Sequence, residues 1–217
     1  MTTEAPQPTR GSDTSLDMRR RLRAERERRG LSLRKLAAEV GISPSALSQI
    51  ETGKSRPSVS TLYAIVSALD LSMDGLFPPR ERAGADPQPA LSSRMSGPST
   101  EPFIQRAADR GALDFTSGVQ WERLSAPGDF VELLWITYGP GAASGNSGQF
   151  MRHAGREYGV VISGRLGVSI GFESYELGAG DAISFQSSVP HHLGALGDEP
   201  AVAVWFLLER LPELQTS

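Results

Sequence analysis

The chain has 217 residues, no cysteine and only three histidines. Without cysteine there is no disulfide and no thiolate metal site. No apolar run approaches the roughly 20 residues that span a bilayer. The first segment, MTTEAPQPTRGSDTS, lacks the apolar centre of a signal peptide. It reads as a disordered tail on a cytoplasmic protein with no membrane partner. There is no strong excess of one charge: the formal net charge is −3. The balance is uneven along the chain, however. Residues 1–80 hold 13 Lys and Arg against 9 Asp and Glu, while residues 81–217 hold 9 against 16. A basic first part on an acidic chain points to a polyanion met by that part alone.

What is present divides at a seam. PPRERAGADPQPALSSRMSGPSTEP, residues 78–102, is rich in Pro, Gly, Ser and Ala and has no periodicity, which is a linker composition. Before it the apolar residues recur at helical spacing; after it, short apolar runs are cut by Gly and Pro. The expected organisation is a tail over 1–15, a helical domain over 16–78, a linker over 79–102, a strand domain over 103–212 and a tail over 213–217.

The helical half begins with a basic helix predicted over Leu16–Arg29. Next comes LSLRKLAAEVG, in which Ser32 is a helix cap and Leu33, Leu36, Ala37 and Val40 form one apolar stripe. Gly41 fits the left-handed stop. Ser43 caps a third helix with Pro44 in its first turn, and Gly53 ends it. Ser58 caps a fourth with Leu62, Ile65, Val66 and Leu69, and SMDGLF closes the core as a short fifth. On the third helix Leu47 and Ile50 face inward. Ser45, Ser48, Gln49 and Thr52 fall at i, i+3, i+4 and i+7 on the opposite face. Small residues let a helix approach a surface closely, and Gln and Ser can hydrogen-bond base edges. Lys54 and Arg56 follow at positions suited to phosphates. Glu51 reads as a tie to a neighbouring helix.

The span from Met18 to Phe77 resembles the phage-repressor-like helix-turn-helix domain, of the Cro and C1 or xenobiotic-response-element type. Leu36-Ala37, Val40-Gly41-Ile42-Ser43, Leu47-Ser48-Gln49-Ile50-Glu51, Gly53-Lys54 and Pro57 carry the likeness. The resemblance implies base reading by Pro44, Ser45 and Gln49, with Ser43, Thr52 and Lys54 near the backbone. Pro44 departs from the Gln common in phage repressors and cannot read a base by hydrogen bonds.

The strand half reads as DFVELLWITYGPG, then EYGVVISGRLGVSIG as two strands about Ser163-Gly164-Arg165, then YELGAGDAISFQ, then PAVAVWFLLER. Regularly spaced short strands indicate a sandwich or small barrel. Trp121, Trp135, Trp205 and Phe206 read as core. All three histidines, His153, His191 and His192, lie here, and Glu157 is four residues after His153. An even separation on a strand puts His153 and Glu157 on one face, and Met151 joins them by parity. His191 and His192 point opposite ways, so at most one faces inward. The pair can hold a metal, bind a polar effector directly, or simply hydrogen-bond each other.

This half resembles the cupin family. His153-x3-Glu157-x6-Gly164 is similar to the second part of the first cupin motif; Gly180-Asp181, Pro190 and His191 are similar to the second. The resemblance implies His153, Glu157 and His191 as ligands of a divalent metal, zinc, iron or manganese. Met151 stands where metal cupins carry a further His, and a thioether suits these metals poorly. The same residues, with Met151, are the candidate effector site. The expected fold is an all-α five-helix helix-turn-helix domain followed by an all-β cupin, a double-stranded β-helix of jelly-roll type. The two halves together resemble bacterial transcription regulators with a cupin sensor. That resemblance implies a homodimer on a double-stranded DNA operator, a small-molecule effector, repression as the expected sign, and no catalysis. The other readings are a metal-dependent cupin enzyme, a dioxygenase or isomerase tethered to DNA, and a DNA-binding scaffold whose cupin only dimerises.

Overall fold

Three serines open three helices by the same local chemistry. In the computed structural model, which describes residues 14–71, 73–77, 104–125, 131–145 and 149–208, helix α1 covers Thr14–Arg28, two residues ahead of expectation. Helix α2 (Leu33–Val40) begins where the Ser32 side chain accepts from the Lys35 amide. Helix α3 (Pro44–Thr52) begins where Ser43 accepts from Ala46, and α4 (Val59–Ala68) where Ser58 accepts from Thr61. Each cap satisfies an amide that the first turn cannot pair. Gly41 and Gly53 close α2 and α3 in the left-handed region, at φ 76 and 77. The expected fifth helix is not an α-helix: Met73–Leu76 is one turn of 3-10 helix. Gly75 lies inside it and Pro78-Pro79 follow in sequence, so no room is left for i to i+4 bonding. Met73, Leu76 and Phe77 nonetheless enter the core. The expected linker 79–102 and tail 213–217, and residues 1–13 of the first tail, lie outside the described residues.

After a turn of 3-10 helix at Ala107–Asp109, the described residues of the second half form nine antiparallel strands: β1 (Ala112–Asp114), β2 (Val119–Arg123), β3 (Val131–Tyr138), β4 (Arg156–Ser163), β5 (Leu166–Ile170), β6 (Glu173–Leu177), β7 (Ala182–Gln186), β8 (His191–Ala195) and β9 (Ala201–Leu208). They form a six-stranded sheet, β1-β2-β3-β9-β4-β7, and a three-stranded sheet, β6-β5-β8. Leu134 and Ile136 of β3, Val161 of β4, Leu166 and Val168 of β5, and Ala203 and Trp205 of β9 fill the space between. Strand parity decides which aromatics enter. Trp121 and Trp205 are buried as expected, but Trp135 and Phe206 are not core. They lie on the outer face of the large sheet, in register with Val204 and Tyr158. On β9 both parities are apolar, so adjacent Trp205 and Phe206 take opposite faces.

The two halves touch. The Ser60 amide donates to the Ser144 carbonyl at 2.9 Å and the Thr116 amide to the Pro57 carbonyl at 3.1 Å. Arg123 lies over the Phe77 ring. Through this seam, α4 is laid across one end of the barrel.

Candidate functional site

Two places concentrate unsatisfied polarity: the outer face of α3 and the interior of the barrel below α4.

Helix α3 is held from behind. Leu47 and Ile50 are buried, and Glu51 is joined to Arg26 of α1 by two bonds, Nε to Oε1 at 2.6 Å and Nη2 to Oε2 at 2.9 Å. Arg26 also donates to the Leu31 carbonyl. Glu51 is thus a structural tie, and α3 cannot roll. Its front carries Pro44, Ser45, Gln49 and Thr52, all exposed, with Ser48 half-buried. The side chains of Ser45 and Gln49 make no hydrogen bond to the described residues. Ser43 uses a lone pair to cap the helix, which leaves its proton to donate outward. Thr52 differs: its hydroxyl donates to the Ser48 carbonyl at 2.7 Å, so the proton a phosphate would accept is already engaged.

Lys54 and Arg56 are exposed just past α3. The sequence reading missed Arg19. Its guanidinium rests against the α3 stop so closely that a Cβ on Gly53 would lie 1.8 Å from Nη1. Gly53 is required by its positive φ, and a side chain there would also push the Arg19 guanidinium aside. Burial and then the nearby Arg56 charge push Arg19 down from its ordinary value, and its Nε has no partner among the described residues. Further along, Arg23 is paired with Glu27, and Arg28 and Arg29 with Glu25, while Arg20 and Arg21 are exposed. Cationic charge is left beside α3, where an anionic backbone would pass.

Inside the barrel, β4 and β8 deliver the second cluster. Glu157 is the second residue of β4 and is 3 % exposed; His191 opens β8 and is fully buried; His153 lies in the loop before β4. His192 points the other way and approaches the Gly145 carbonyl. Glu157 Oε1 is 2.9 Å from His153 Nε2 and 3.2 Å from His191 Nε2. At those distances hydrogen bonds are expected, yet none of the three atoms meets the geometry of one. His153 Nδ1 lies 3.0 Å from the Ala154 carbonyl and His191 Nδ1 2.9 Å from the Val189 carbonyl. A carbonyl only accepts, so each Nδ1 carries the proton and each neutral ring turns its Nε2 lone pair inward. With both rings neutral, two Nε2 lone pairs and a carboxylate oxygen converge, an arrangement that a proton on His153 or a bound cation relieves.

Glu157 is fixed by its other oxygen. Trp205 Nε1 donates to Oε2 at 2.6 Å. The Trp205 ring reaches that oxygen by lying over Gly159, its register partner, where a Cβ would come within 2.0 Å of the ring. Burial raises the Glu157 carboxyl, but His153, His191 and Trp205 more than reverse this and hold it below its usual range. Burial lowers both imidazoles. For His153 the adjacent carboxylate wins and the net is upward; for His191 burial wins and the net is downward. Burial, then the Glu157 charge, raises the Tyr138 phenol.

The three donor atoms lie within 4.8 Å of one another. Ligands about 2.0–2.2 Å from a four-coordinate ion stand roughly 3.3 Å apart, so the set fits a divalent cation with little movement. The backbone bonds to Nδ1 and the indole bond to Oε2 are the outer partners such ligands require. Met151 lies beside them, buried and bridged to His191, but adds only a thioether.

Fold and sites together define the class: a helix-turn-helix domain with a cupin-type barrel behind it. A helix-turn-helix family profile matches residues 22–76 and a cupin domain profile matches residues 134–207. The chain is 27% identical over 180 residues to the HTH-type transcriptional regulator PuuR of Escherichia coli (strain K12), covering 83% of this chain and 88% of that protein. It is 27% identical over 171 residues to the HTH-type transcriptional regulator SutR of the same organism, covering 78% and 82%. The crystal structure of an HTH_3 family transcriptional regulator from Vibrio cholerae has the same fold, with a TM-score of 0.61 at 24% identity, covering 92% of this chain and 100% of that one. This chain therefore carries a helix-turn-helix domain followed by a cupin domain, and is related along most of its length to transcriptional regulators.

Proposed function

We propose that the protein is a sequence-specific DNA-binding transcriptional regulator whose cupin domain binds a small-molecule effector. The observation that carries this is the front of α3: Ser45 and Gln49 are exposed and unengaged on a helix locked from behind by the Arg26–Glu51 pair. Ser45 and Gln49 read base edges in the major groove, with Pro44 packing against them and Ser48 at the flank. Ser43, Lys54, Arg56 and Arg19 meet phosphates, and Thr52 lies at the backbone as an acceptor only. A homodimer places one α3 in each half of a pseudo-palindromic operator. The helix-turn-helix domain spans 16–78 and the effector domain 103–212.

His153, Glu157 and His191 hold a divalent cation, zinc, iron or manganese. The ion would supply a Lewis-acidic point for an anionic or carbonyl group of the effector. The chain's own contribution is to turn both Nε2 lone pairs inward, to keep Glu157 ionised through Trp205, and to line the approach with Met151 and Leu193. The regulator reading makes no use of catalysis.

The test is a binding selection. Purified protein is incubated with sheared DNA of its source near physiological salt, and the bound fragments are sequenced. A shared inverted repeat upstream of a few genes is the expected result. Diffuse, salt-sensitive capture without a shared sequence would overturn specific readout and favour the tethered enzyme or the scaffold, which metal content would then separate.

A further inference from the structure

The cavity over the triad has a wall from each domain. Val59 and Tyr63 of α4 line it together with Trp121, His153 and Glu157 of the barrel. The Tyr63 ring stacks flat on the His153 imidazole, with centroids 4.4 Å apart and an interplanar angle of 3°. It also meets Trp121 edge-on at 5.8 Å. What space is left amounts to about 10 Å³, room for one water at most. No organic effector fits beside the triad while α4 lies there.

Polar contacts across this seam among the described residues include the Ser60 and Thr116 backbone bonds, a Ser60 to Gln149 side-chain bond at 3.3 Å, and an open Arg56–Asp114 pair at 3.8 Å. The last two residues of that seam bear on the DNA side. Arg56 is a phosphate-contact candidate, and Asp114 of β1 competes for it while the domains are docked. We propose that α4 is the plug of the barrel: filling the triad pocket with anything larger than a water and keeping the helical domain docked exclude one another. Tyr63 is then a residue of the effector site although it belongs to the DNA-binding domain. This rests on the effector reading above and gives it a route, because an occupant that displaces α4 binds the two arrangements of the domains unequally.

The chain's lack of cysteine makes the test clean. A Cβ at Gly145 would lie 2.8 Å from Ser60 Oγ, within reach of a disulfide, so Ser60→Cys with Gly145→Cys clamps the seam when oxidised and frees it when reduced. Diethyl pyrocarbonate, which acylates unprotonated imidazole, is the probe. Labelling of His153 is followed by mass spectrometry after dialysis against a chelator, with exposed Lys35 as the internal reference. We expect His153 to label at least tenfold more slowly in the oxidised clamp than in the reduced form. Tyr63→Ala without the clamp should label at least tenfold faster than wild type. Equal labelling in the two redox forms would overturn the plug. So would unchanged labelling in Tyr63→Ala, which decides the matter if the double variant fails to fold or to cross-link. Neither readout involves DNA. Failure of the plug therefore leaves the operator reading standing, and failure of the operator selection leaves the plug standing.

Discussion

The front of α3 and the inside of the barrel use polar groups in opposite ways. On α3 Ser45 and Gln49 are exposed and hydrogen-bonded to nothing among the described residues, while the Arg26–Glu51 ion pair is hidden behind them. In the barrel the polar residues are hidden and aimed at one another, and the bonds that hold them run outward to backbone carbonyls and an indole. The first arrangement suits a large partner that brings its own donors and acceptors. The second suits a small cation or ligand that must be enclosed. The lesson is that specificity on α3 depends on what stands behind the helix, and in the barrel on what stands around the ligands.

The sharpest way to break that contrast is to remove the hidden pair. Glu51→Ala leaves the Arg26 guanidinium, 8 % exposed, with the Leu31 carbonyl and a 3.5 Å contact to Glu27 but without its close carboxylate. Breaking a buried pair costs about 3–5 kcal/mol. Urea unfolding of the helical domain should show a loss of that order, with the barrel's metal affinity untouched. Next comes the support of the barrel site. Trp205→Phe keeps an aromatic ring in the core but removes the donor to Glu157 Oε2, and should weaken zinc binding by about 10–100-fold in a competition titration. On α3, Gln49→Ala should cost about 1–3 kcal/mol on the selected operator and almost nothing on unrelated DNA. Equal losses on both would remove Gln49 from the readout. Lys54→Ala should weaken both DNAs alike and lower the slope of log K against log salt by about 1.

The smallest effect concerns pH. The raised value of His153 means that its charged form, beside Glu157, favours the metal-free fold. That contribution is complete below about pH 6.5 and fades as the pH rises through the raised value. His191, whose value is lowered, is neutral in both states over that window and adds nothing there. Zinc needs the unprotonated Nε2, so metal affinity should climb where this stabilisation fades. Melting temperatures with and without zinc should diverge as pH rises through neutrality.

Much of the helical domain was legible because its signals are local. Ser32, Ser43 and Ser58 each act within three residues, and Gly41 and Gly53 at single positions. The triad was legible in part because His153 and Glu157 are near in sequence and the His191 segment has its own motif. What holds the triad was not. Trp205 lies 48 residues from Glu157 and reaches it only through strand register and the bare Cα of Gly159. The Tyr63 stack on His153 joins two domains, and no periodicity within α4 marks it, since Tyr63 reads as one more apolar residue of a core helix. In sequence Arg19 is one of seven arginines between residues 16 and 29, and only packing shows which of them Glu25, Glu27 and Glu51 leave unmatched.

If α4 plugs the barrel, the barrel interior and the DNA face are coupled through that helix. The most direct measurement is the operator affinity of His153→Ala against wild type, by fluorescence anisotropy on a fragment from the selection. The substitution lies wholly in the barrel, touches nothing on α3, and removes the ring on which Tyr63 stacks. The account predicts a shift of about fivefold or more, the scale of coupling between linked sites. Equal affinities would contradict it, and would leave the cupin as a domain that the DNA-binding half does not hear.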